Sequence, residues 1–213
     1  GILTLLGLFT TACNGRTLTT PVPEIREYQG QPLSSVNDFQ ENSIKGPQDV
    51  DIQNYRLKIS GLVSSPREYK YDEVIANHIS YKKVVKLNCV EGWGVTLLWE
   101  GVLLKDLLAE AGMKPEAKIV IFHAVDGYTT SLPVEYFTGN DILLAYKMNE
   151  VPIPPVRGFP FLVVAENKWG YKWAKWVNEI ELSADLKYRG YWESRGYSNT
   201  GDYPGVFFEN PFG

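Results

Sequence analysis

The 213-residue chain is poor in the side chains that most often carry reactive chemistry: it has two cysteines, two histidines and two methionines. The ligand spacings of zinc sites are missing, and so is a CxxCH haem motif. A cysteine nucleophile needs a base, and neither His78 nor His123 stands in a triad motif. The sequence therefore offers no multi-ligand metal cluster, no attached haem and no catalytic triad.

The chain also lacks a strong charge of either sign. Its formal net charge is −4, which gives no reason to expect nucleic acid or an anionic membrane surface as a partner. Hydrophobic residues make up 44% and charged residues 22%, which is ordinary for a globular protein. Aromatic residues are plentiful, with 13 Tyr, 9 Phe and 6 Trp. They favour a β-rich structure with a walled cleft for a small molecule.

The longest apolar run, residues 1–12, is too short to span a bilayer. Together with Thr11-Ala12-Cys13 it resembles the end of a lipoprotein signal, with Cys13 as the lipid-bearing residue. The alternatives are an ordinary signal peptide and an apolar core segment. Both signal interpretations predict export, to the periplasm or as a membrane-anchored lipoprotein. We expect residues 1–23 to be leader and tether and residues 24–213 to form one domain.

Hydrophobic periodicity predicts an α+β fold that is mainly β. The clearest helix is residues 102–111, whose apolar positions share one face, and shorter helices are expected at 71–77 and 134–138. Residues 24–54 and 188–203 are expected to be irregular, the latter lying over the cleft. Strands are predicted at 55–63, 83–88, 118–124, 128–132, 143–148, 161–165 and 177–182.

One cysteine, Cys89, lies in the body of the chain, where a β-rich run ends and Glu91-Gly92-Trp93 follows. In an exported protein a lone thiol has no internal partner. It is a buried structural thiol, a nucleophile or a metal ligand. Because the base and further ligands are missing, a soft thiolate as sole protein ligand points to a metal carried mostly by its cofactor.

Five short segments of the chain form an ordered set of motifs. They are Asn88-Cys89-Val90-Glu91-Gly92-Trp93 with the following Trp99-Glu100-Gly101-Val102, Asp126-Gly127-Tyr128, Gly158-Phe159-Pro160, Gly170-Tyr171-Lys172 and Gly190-Tyr191-Trp192-Glu193. In this order they resemble the sulfite oxidase/methionine-sulfoxide reductase group of molybdopterin-binding oxidoreductases, and the likeness covers residues 55–197. The resemblance implies a sulfite-oxidase-type fold and an enzyme that uses the molybdenum-molybdopterin cofactor.

The resemblance also implies roles for individual residues. Cys89 would bind molybdenum, and Cys89, Trp93 and Tyr197 would form the catalytic set. Electrons would pass to or from a separate protein. Cofactor contacts would come from Asn42, Ser43, Cys89, Asp126, Arg157, Gly170, Tyr171, Lys172 and Lys175.

Two of these cofactor segments have plainer interpretations. Residues 42–44 also suit a surface loop, and residues 167–176, in which lysines alternate with aromatics, also suit an exposed hairpin. If the cofactor is inserted in the cytoplasm, as in this family, the folded protein must cross the membrane. This predicts a twin-arginine region upstream of Gly1.

Some positions depart from the family pattern. Leu162 stands where many members have an arginine, Arg157 where sulfite oxidases have a histidine, and Glu166 replaces a proline. These departures support an alternative function, a cofactor-free binding lipoprotein that retains the fold. If the protein is an enzyme, Arg157 with Lys172 or Lys175 is expected to anchor the cofactor phosphate.

The residues after Cys89 bear on the substrate. Sulfite oxidases place an arginine there, but this chain has Glu91, and Glu41 precedes Asn42. A carboxylate repels a sulfite dianion, most strongly in a low-dielectric cleft. The sequence therefore favours reduction of a neutral S-oxide or N-oxide, in which the hydroxyl of Tyr197 hydrogen-bonds the departing oxygen.

Overall fold

The computed structural model describes residues 23–209. The predicted leader and the lipid-bearing Cys13 lie outside these residues. Within 23–209, no helix has the length and hydrophobicity needed to cross a membrane.

Strands outnumber helices, as the sequence predicts. The helices are α1 (Tyr71–Asn77), α2 (Leu104–Glu110) and α3 (Val134–Thr138). Short 3₁₀ turns occupy Pro155–Arg157, Gly170–Lys172 and Glu193–Arg195. The strands are β1 (Glu27–Tyr28), β2 (Gln31–Pro32), β3 (Leu57–Gly61), β4 (Arg67–Tyr69), β5 (Tyr81–Asn88), β6 (Gly94–Leu103), β7 (Ile119–Ala124), β8 (Thr129–Pro133), β9 (Leu143–Met148), β10 (Val151–Pro152), β11 (Leu162–Val164) and β12 (Val177–Ser183).

Two five-stranded sheets form the body of the domain. The first has the order β4-β3-β12-β7-β8, in which β3 and β12 are parallel and the other neighbours are antiparallel. The second has the order β10-β9-β6-β5, and β11 also pairs with β9. Every pair in the second sheet is antiparallel. Its β5–β6 hairpin carries the Cys89 loop.

One continuous hydrophobic cluster joins the two sheets and the helices. Leu57, Phe122 and Ile180 enter it from the first sheet, and Leu97 and Leu144 enter it from the second. β3 and β12 bury alternate residues here, whereas β6, β7, β9 and β11 are buried along most of their length, so the sheets share one interior. The core thus fixes the strand ends from which the site loops extend.

The predicted helix at 102–111 begins too early. Val102 and Leu103 belong to β6, where they pair with Leu144 and Leu143 of β9, and the helix starts at Leu104. A short apolar run does not by itself distinguish a buried strand from a helix face. The sequence does not predict β6. Almost every residue from Val95 to Leu103 is buried, so the alternation typical of a half-buried strand is lost.

Candidate active site

Cys89 lies at the tip of the hairpin between β5 and β6. Asn88 and Gly94 form the last strand pair, and the Cys89 N–H donates to the Trp93 carbonyl at 2.8 Å. The Gly92 N–H returns to the Cys89 carbonyl at 3.1 Å, with Gly92 at a φ of 89° that glycine adopts without strain. The hairpin therefore holds the thiol in a fixed position.

The segment after β11 meets this hairpin. Trp169 forms a parallel bridge with Asn88. A Cβ added at Gly170 would come within 3.3 Å of the Asn88 carbonyl oxygen and 3.6 Å of the Cys89 Cα. The segment is a 3₁₀ turn rather than the exposed hairpin that was the alternative interpretation. A small residue at Gly170 allows this backbone to approach the thiol loop closely.

An irregular segment, residues 39–44, covers the thiol from the other side; we call it the N-terminal loop. The side-chain amide nitrogen of Asn42 lies 3.7 Å from Sγ of Cys89. Burial raises the pKa of the Cys89 thiol, whereas hydrogen bonds, including that from Asn42, lower it in part. Cys89 is only 8% exposed, so the free thiol is protonated at neutral pH and metal binding would release its proton.

A cavity of about 350 Å³ opens beside Cys89. Four parts of the chain that are far apart in sequence supply its walls: the N-terminal loop, the β5–β6 hairpin, the turn between β7 and β8, and residues 157–197. Nearly all of the predicted site residues line it. They are Asn42, Ser43, Cys89, Trp93, Asp126, Arg157, Gly170, Tyr171, Lys175 and Tyr197.

Arg157 lines this cavity and carries a buried donor without a partner. Its Nε donates to the Val36 carbonyl at 3.0 Å, and its guanidinium lies 4.0 Å from the centre of the Phe39 ring. Nη1 is buried without a hydrogen-bond partner. A buried donor without a partner is costly, and a ligand that accepts from it removes that cost. Arg157 is therefore prepared to bind an acceptor or an anion.

Lys175, by contrast, is already paired. Its Nζ lies 2.6 Å from Oε1 of Glu41 and 2.7 Å from the Asn42 carbonyl oxygen. Burial lowers the pKa of Lys175, and the Glu41 carboxylate opposes that effect. The ammonium therefore holds the N-terminal loop against the cavity and shares its charge with Glu41.

The structure does not bring Lys172 to the cavity. Its Nζ lies 2.5 Å from Oε1 of Glu193 and 2.8 Å from the Ser131 carbonyl oxygen, and both charged side chains are 0% exposed. Thr130 also donates to Glu193. In the Gly170–Lys172 turn, Gly170 and Tyr171 line the cavity, whereas the side chain of Lys172 is buried in the protein interior. Lys172 is therefore paired with Glu193 in the protein interior and is not among the residues that line the cavity.

Several cavity residues were not singled out from the sequence. Phe39 packs on both Arg157 and Trp93, the latter at a ring distance of 5.9 Å. Trp99 and Trp173 form a buried pair, 5.6 Å apart, that also lines the cavity. The sequence shows that these residues are aromatic, but aromatic residues at these positions are equally expected in the hydrophobic core. Only the packing of the loops shows that they face the cavity.

The residues fit a metal-bearing cofactor with an anionic group. Within residues 23–209 no group of three or more histidine, cysteine or acidic side chains could hold a metal. A metal bound beside Cys89 would therefore take most of its ligands from the cofactor. The unpaired donor of Arg157 would suit such an anion. Cys89 would hold the metal and Arg157 the anionic end.

The chain is similar to known proteins over most of its length. The model of the family described as "Oxidoreductase molybdopterin binding domain" matches residues 44–192. The uncharacterized oxidoreductase YuiH of Bacillus subtilis is 36% identical over 157 residues, covering 73% of this chain and 78% of that protein. The putative protein-methionine-sulfoxide reductase subunit YedZ1 of Azospira oryzae is 31% identical over 150 residues, covering 70% of this chain and 56% of that protein.

A solved structure shows the same fold. The sulfane dehydrogenase SoxCD from Paracoccus pantotrophus matches with a TM-score of 0.65 and 21% identity, over 84% of this chain and 56% of that chain. The sulfite-oxidase-type, mainly β fold is therefore confirmed. The chain spans only about half of the Azospira protein and of SoxCD, so this likeness carries no substrate with it.

These matches decide between the two functions that the sequence left open. They favour an enzyme over a cofactor-free binding lipoprotein, and they identify the cofactor as molybdenum-molybdopterin. The chain therefore belongs to the family of molybdopterin-binding oxidoreductases that includes sulfite oxidase and methionine-sulfoxide reductase relatives, and the Cys89 thiol lines its cavity.

Proposed function

We propose that this protein is an exported oxidoreductase that reduces a neutral S-oxide or N-oxide, with Cys89 as the molybdenum ligand. When bound, the cofactor supplies two-electron oxygen-atom transfer. In the overall reaction the oxide takes up two electrons and two protons and leaves as the reduced compound and water. The electrons come from a separate electron-transfer partner.

The observation that carries this proposal is the position of Glu91 on the cavity wall, two residues after the thiol. Hydrogen bonds from Asn42 and Trp93 lower the pKa of Glu91, so it is a carboxylate at neutral pH. Two unit charges 4 Å apart repel by about 1 kcal/mol in water and about 4 kcal/mol near a protein surface. A sulfite dianion is repelled here, whereas a neutral oxide is not.

The basic residues of the cavity do not reverse this preference. Lys175 is paired with Glu41, and Arg157 is assigned to the anionic end of the cofactor. Asp126 adds a further buried carboxyl group to the lining. The cavity side chains that remain to face a substrate therefore have a negative or zero net charge.

The aromatic walls suit an uncharged substrate. Trp93 donates its indole N–H to Glu91 at 3.0 Å, which fixes the ring at the cavity. Tyr197 lies on the opposite segment, with its ring 5.1 Å from both Tyr171 and Trp192. Within residues 23–209 its hydroxyl makes no hydrogen bond, so it is free to donate to the oxygen that leaves the substrate.

The test is steady-state turnover of cofactor-loaded protein. A panel of sulfoxides and N-oxides is assayed with a reduced viologen as electron donor, beside sulfite with ferricyanide as acceptor. We expect turnover of at least one oxide and little or none of sulfite. Efficient sulfite oxidation without any reductase activity would overturn the proposal.

Export and lipid attachment are tested separately. Residues 1–12 followed by Cys13 motivate the proposal that the mature protein is a lipoprotein. Labelled palmitate should be incorporated by cells that express the full gene and not by the Cys13→Ser variant, whereas Cys89→Ser should incorporate it normally. Equal labelling of wild type and Cys13→Ser would show that the lipid is not on Cys13.

A further inference from the structure

The family match ends at residue 192, but the described chain continues to residue 209 and contacts the cavity residue Tyr197. Residues 203–209, which we call the C-terminal strap, run beside the segment that carries Tyr197. The Ser198 N–H donates to the Phe207 carbonyl at 2.9 Å, and the Glu209 N–H donates to the Gly196 carbonyl at 2.7 Å. These two bonds bracket Tyr197 and tie its backbone to the strap.

The strap also contacts the Tyr197 side chain. Tyr197 and Phe208 form an antiparallel bridge, and their ring centres are 5.8 Å apart at an interplanar angle of 83°. The Phe207 ring lies 6.2 Å from Tyr197 on the same segment. With Tyr171 and Trp192, four aromatic rings surround Tyr197, two from the cavity wall and two from the strap.

The other end of the strap is fixed to the segment beside the thiol loop. The Tyr203 ring lies 4.7 Å from that of Trp169, and the Tyr203 N–H donates to the Asn167 carbonyl at 2.9 Å. The Trp169 indole N–H donates to the Gly205 carbonyl at 3.1 Å. Trp169 itself bridges to Asn88, next to Cys89. The strap therefore spans from the thiol loop to Tyr197.

The strap residues differ in burial. Tyr203 and Phe207 are half-buried, whereas Phe208 is 50% exposed and Val206 is 71% exposed. Aromatic pairs prefer edge-on or offset geometries, so the edge-on contact with Phe208 favours one orientation of the Tyr197 ring.

We propose that the C-terminal strap positions Tyr197 for the oxygen that leaves the substrate, and that Phe208 is the positioning residue. This inference rests on the proposed function, because the role of Tyr197 belongs to it. Phe208 acts through the Tyr197 ring and does not itself touch the substrate.

The experiment uses the full, cofactor-loaded chain and a double-mutant cycle. Phe208→Ala is compared with Val206→Ala, a strap residue that is more exposed and makes no aromatic contact. One aromatic contact has only a modest energetic effect on the orientation of its partner ring. We therefore expect Phe208→Ala to lower kcat for an oxide by about two- to tenfold, with little change in KM. Val206→Ala should match wild type, and molybdenum content should be equal in all variants.

The Tyr197→Phe background separates positioning from a general structural effect. If Phe208 orients the hydroxyl, Phe208→Ala should cause no further loss of kcat once that hydroxyl is gone. An equal loss of kcat in both backgrounds would overturn the proposal, and so would unchanged kcat in Phe208→Ala.

Hydrogen exchange gives a readout that does not depend on turnover. The Ser198 and Glu209 amides should exchange faster in Phe208→Ala than in Val206→Ala, because both bond across the strap. If wild type reduces no oxide, the proposed function fails. The strap is then judged by exchange alone: faster exchange supports it, and equal rates in the two variants overturn it.

Discussion

Nζ of Lys175 lies 2.6 Å from Oε1 of Glu41, although 134 positions separate the two residues. The pair closes the N-terminal loop over the cavity and occupies an ammonium that the sequence motifs predict at the cofactor phosphate. We therefore expect the Glu41 carboxylate and the cofactor anion to compete for this one cation.

Replacing Glu41 by glutamine tests this competition. Glu41→Gln keeps the size of the side chain and leaves the Asn42 carbonyl contact to Lys175 in place. We expect more molybdenum per polypeptide after prolonged dialysis than in wild type, measured by elemental mass spectrometry. Glu68→Gln, an exposed carboxylate on β4, is the matched control. Lower retention in Glu41→Gln would mean that Glu41 positions Lys175 instead of competing for it.

Arg157 should be the main anchor of the cofactor. Replacing it by methionine removes the unpaired buried Nη1 donor and the charge together. A hydrogen bond to a charged group contributes about 1.5–3 kcal/mol, so we expect cofactor affinity to fall by about 10- to 100-fold. Arg157→Lys should restore only part of the cofactor affinity, because an ammonium lacks the planar set of N–H donors of a guanidinium.

The control for Arg157 is Arg67→Met on exposed β4, which should retain the cofactor as wild type does. Circular dichroism must show that each variant is folded. Full retention by Arg157→Met would move the anchor to another residue of the cavity.

Cys89→Ser should give a folded protein without the absorption band of a thiolate bound to molybdenum and without turnover. Serine is nearly isosteric, and the hairpin bonds at Cys89 are made by the backbone, so the hairpin should persist. Visible spectroscopy and molybdenum content are measured on the same sample. A visible spectrum identical to that of wild type would show that Cys89 is not a ligand.

The buried Lys172–Glu193 pair should matter for stability and not for cofactor binding. Lys172→Met leaves the Glu193 charge buried without its partner, a loss that typically costs about 3–5 kcal/mol. Adding Glu193→Gln removes that charge, and we expect the double variant to regain part of the lost free energy of unfolding. Urea denaturation followed by fluorescence measures both.

Two results would contradict this account of Lys172. Additive losses in the double variant would mean that the two charges act independently. If Lys172→Met loses molybdenum while its free energy of unfolding stays unchanged, Lys172 belongs to the cofactor site.

The sequence predicts many of the strands and the hairpin at Cys89, because both depend on residues that are close together along the chain. Alternation marked β3, and Glu91-Gly92-Trp93 marked a tight turn after a β-rich run. Where burial is nearly continuous the pattern fails, as at β6, where residues 97–103 are all buried and the alternation of a half-buried strand is lost. The five ordered motifs nevertheless sufficed to predict the family.

The sequence by itself determined the mainly β fold, the lone thiol and the acidic residue two positions after it. Only the tertiary structure decided which cations face the cavity: it left Arg157 Nη1 unpaired, placed Lys175 against Glu41 and buried Lys172 against Glu193. The physical reason is that a charged side chain takes the partner that packing brings within about 3 Å, and that partner lies on another loop. Local patterns restrict backbone conformation, whereas pairs between distant loops exist only after the sheets have packed.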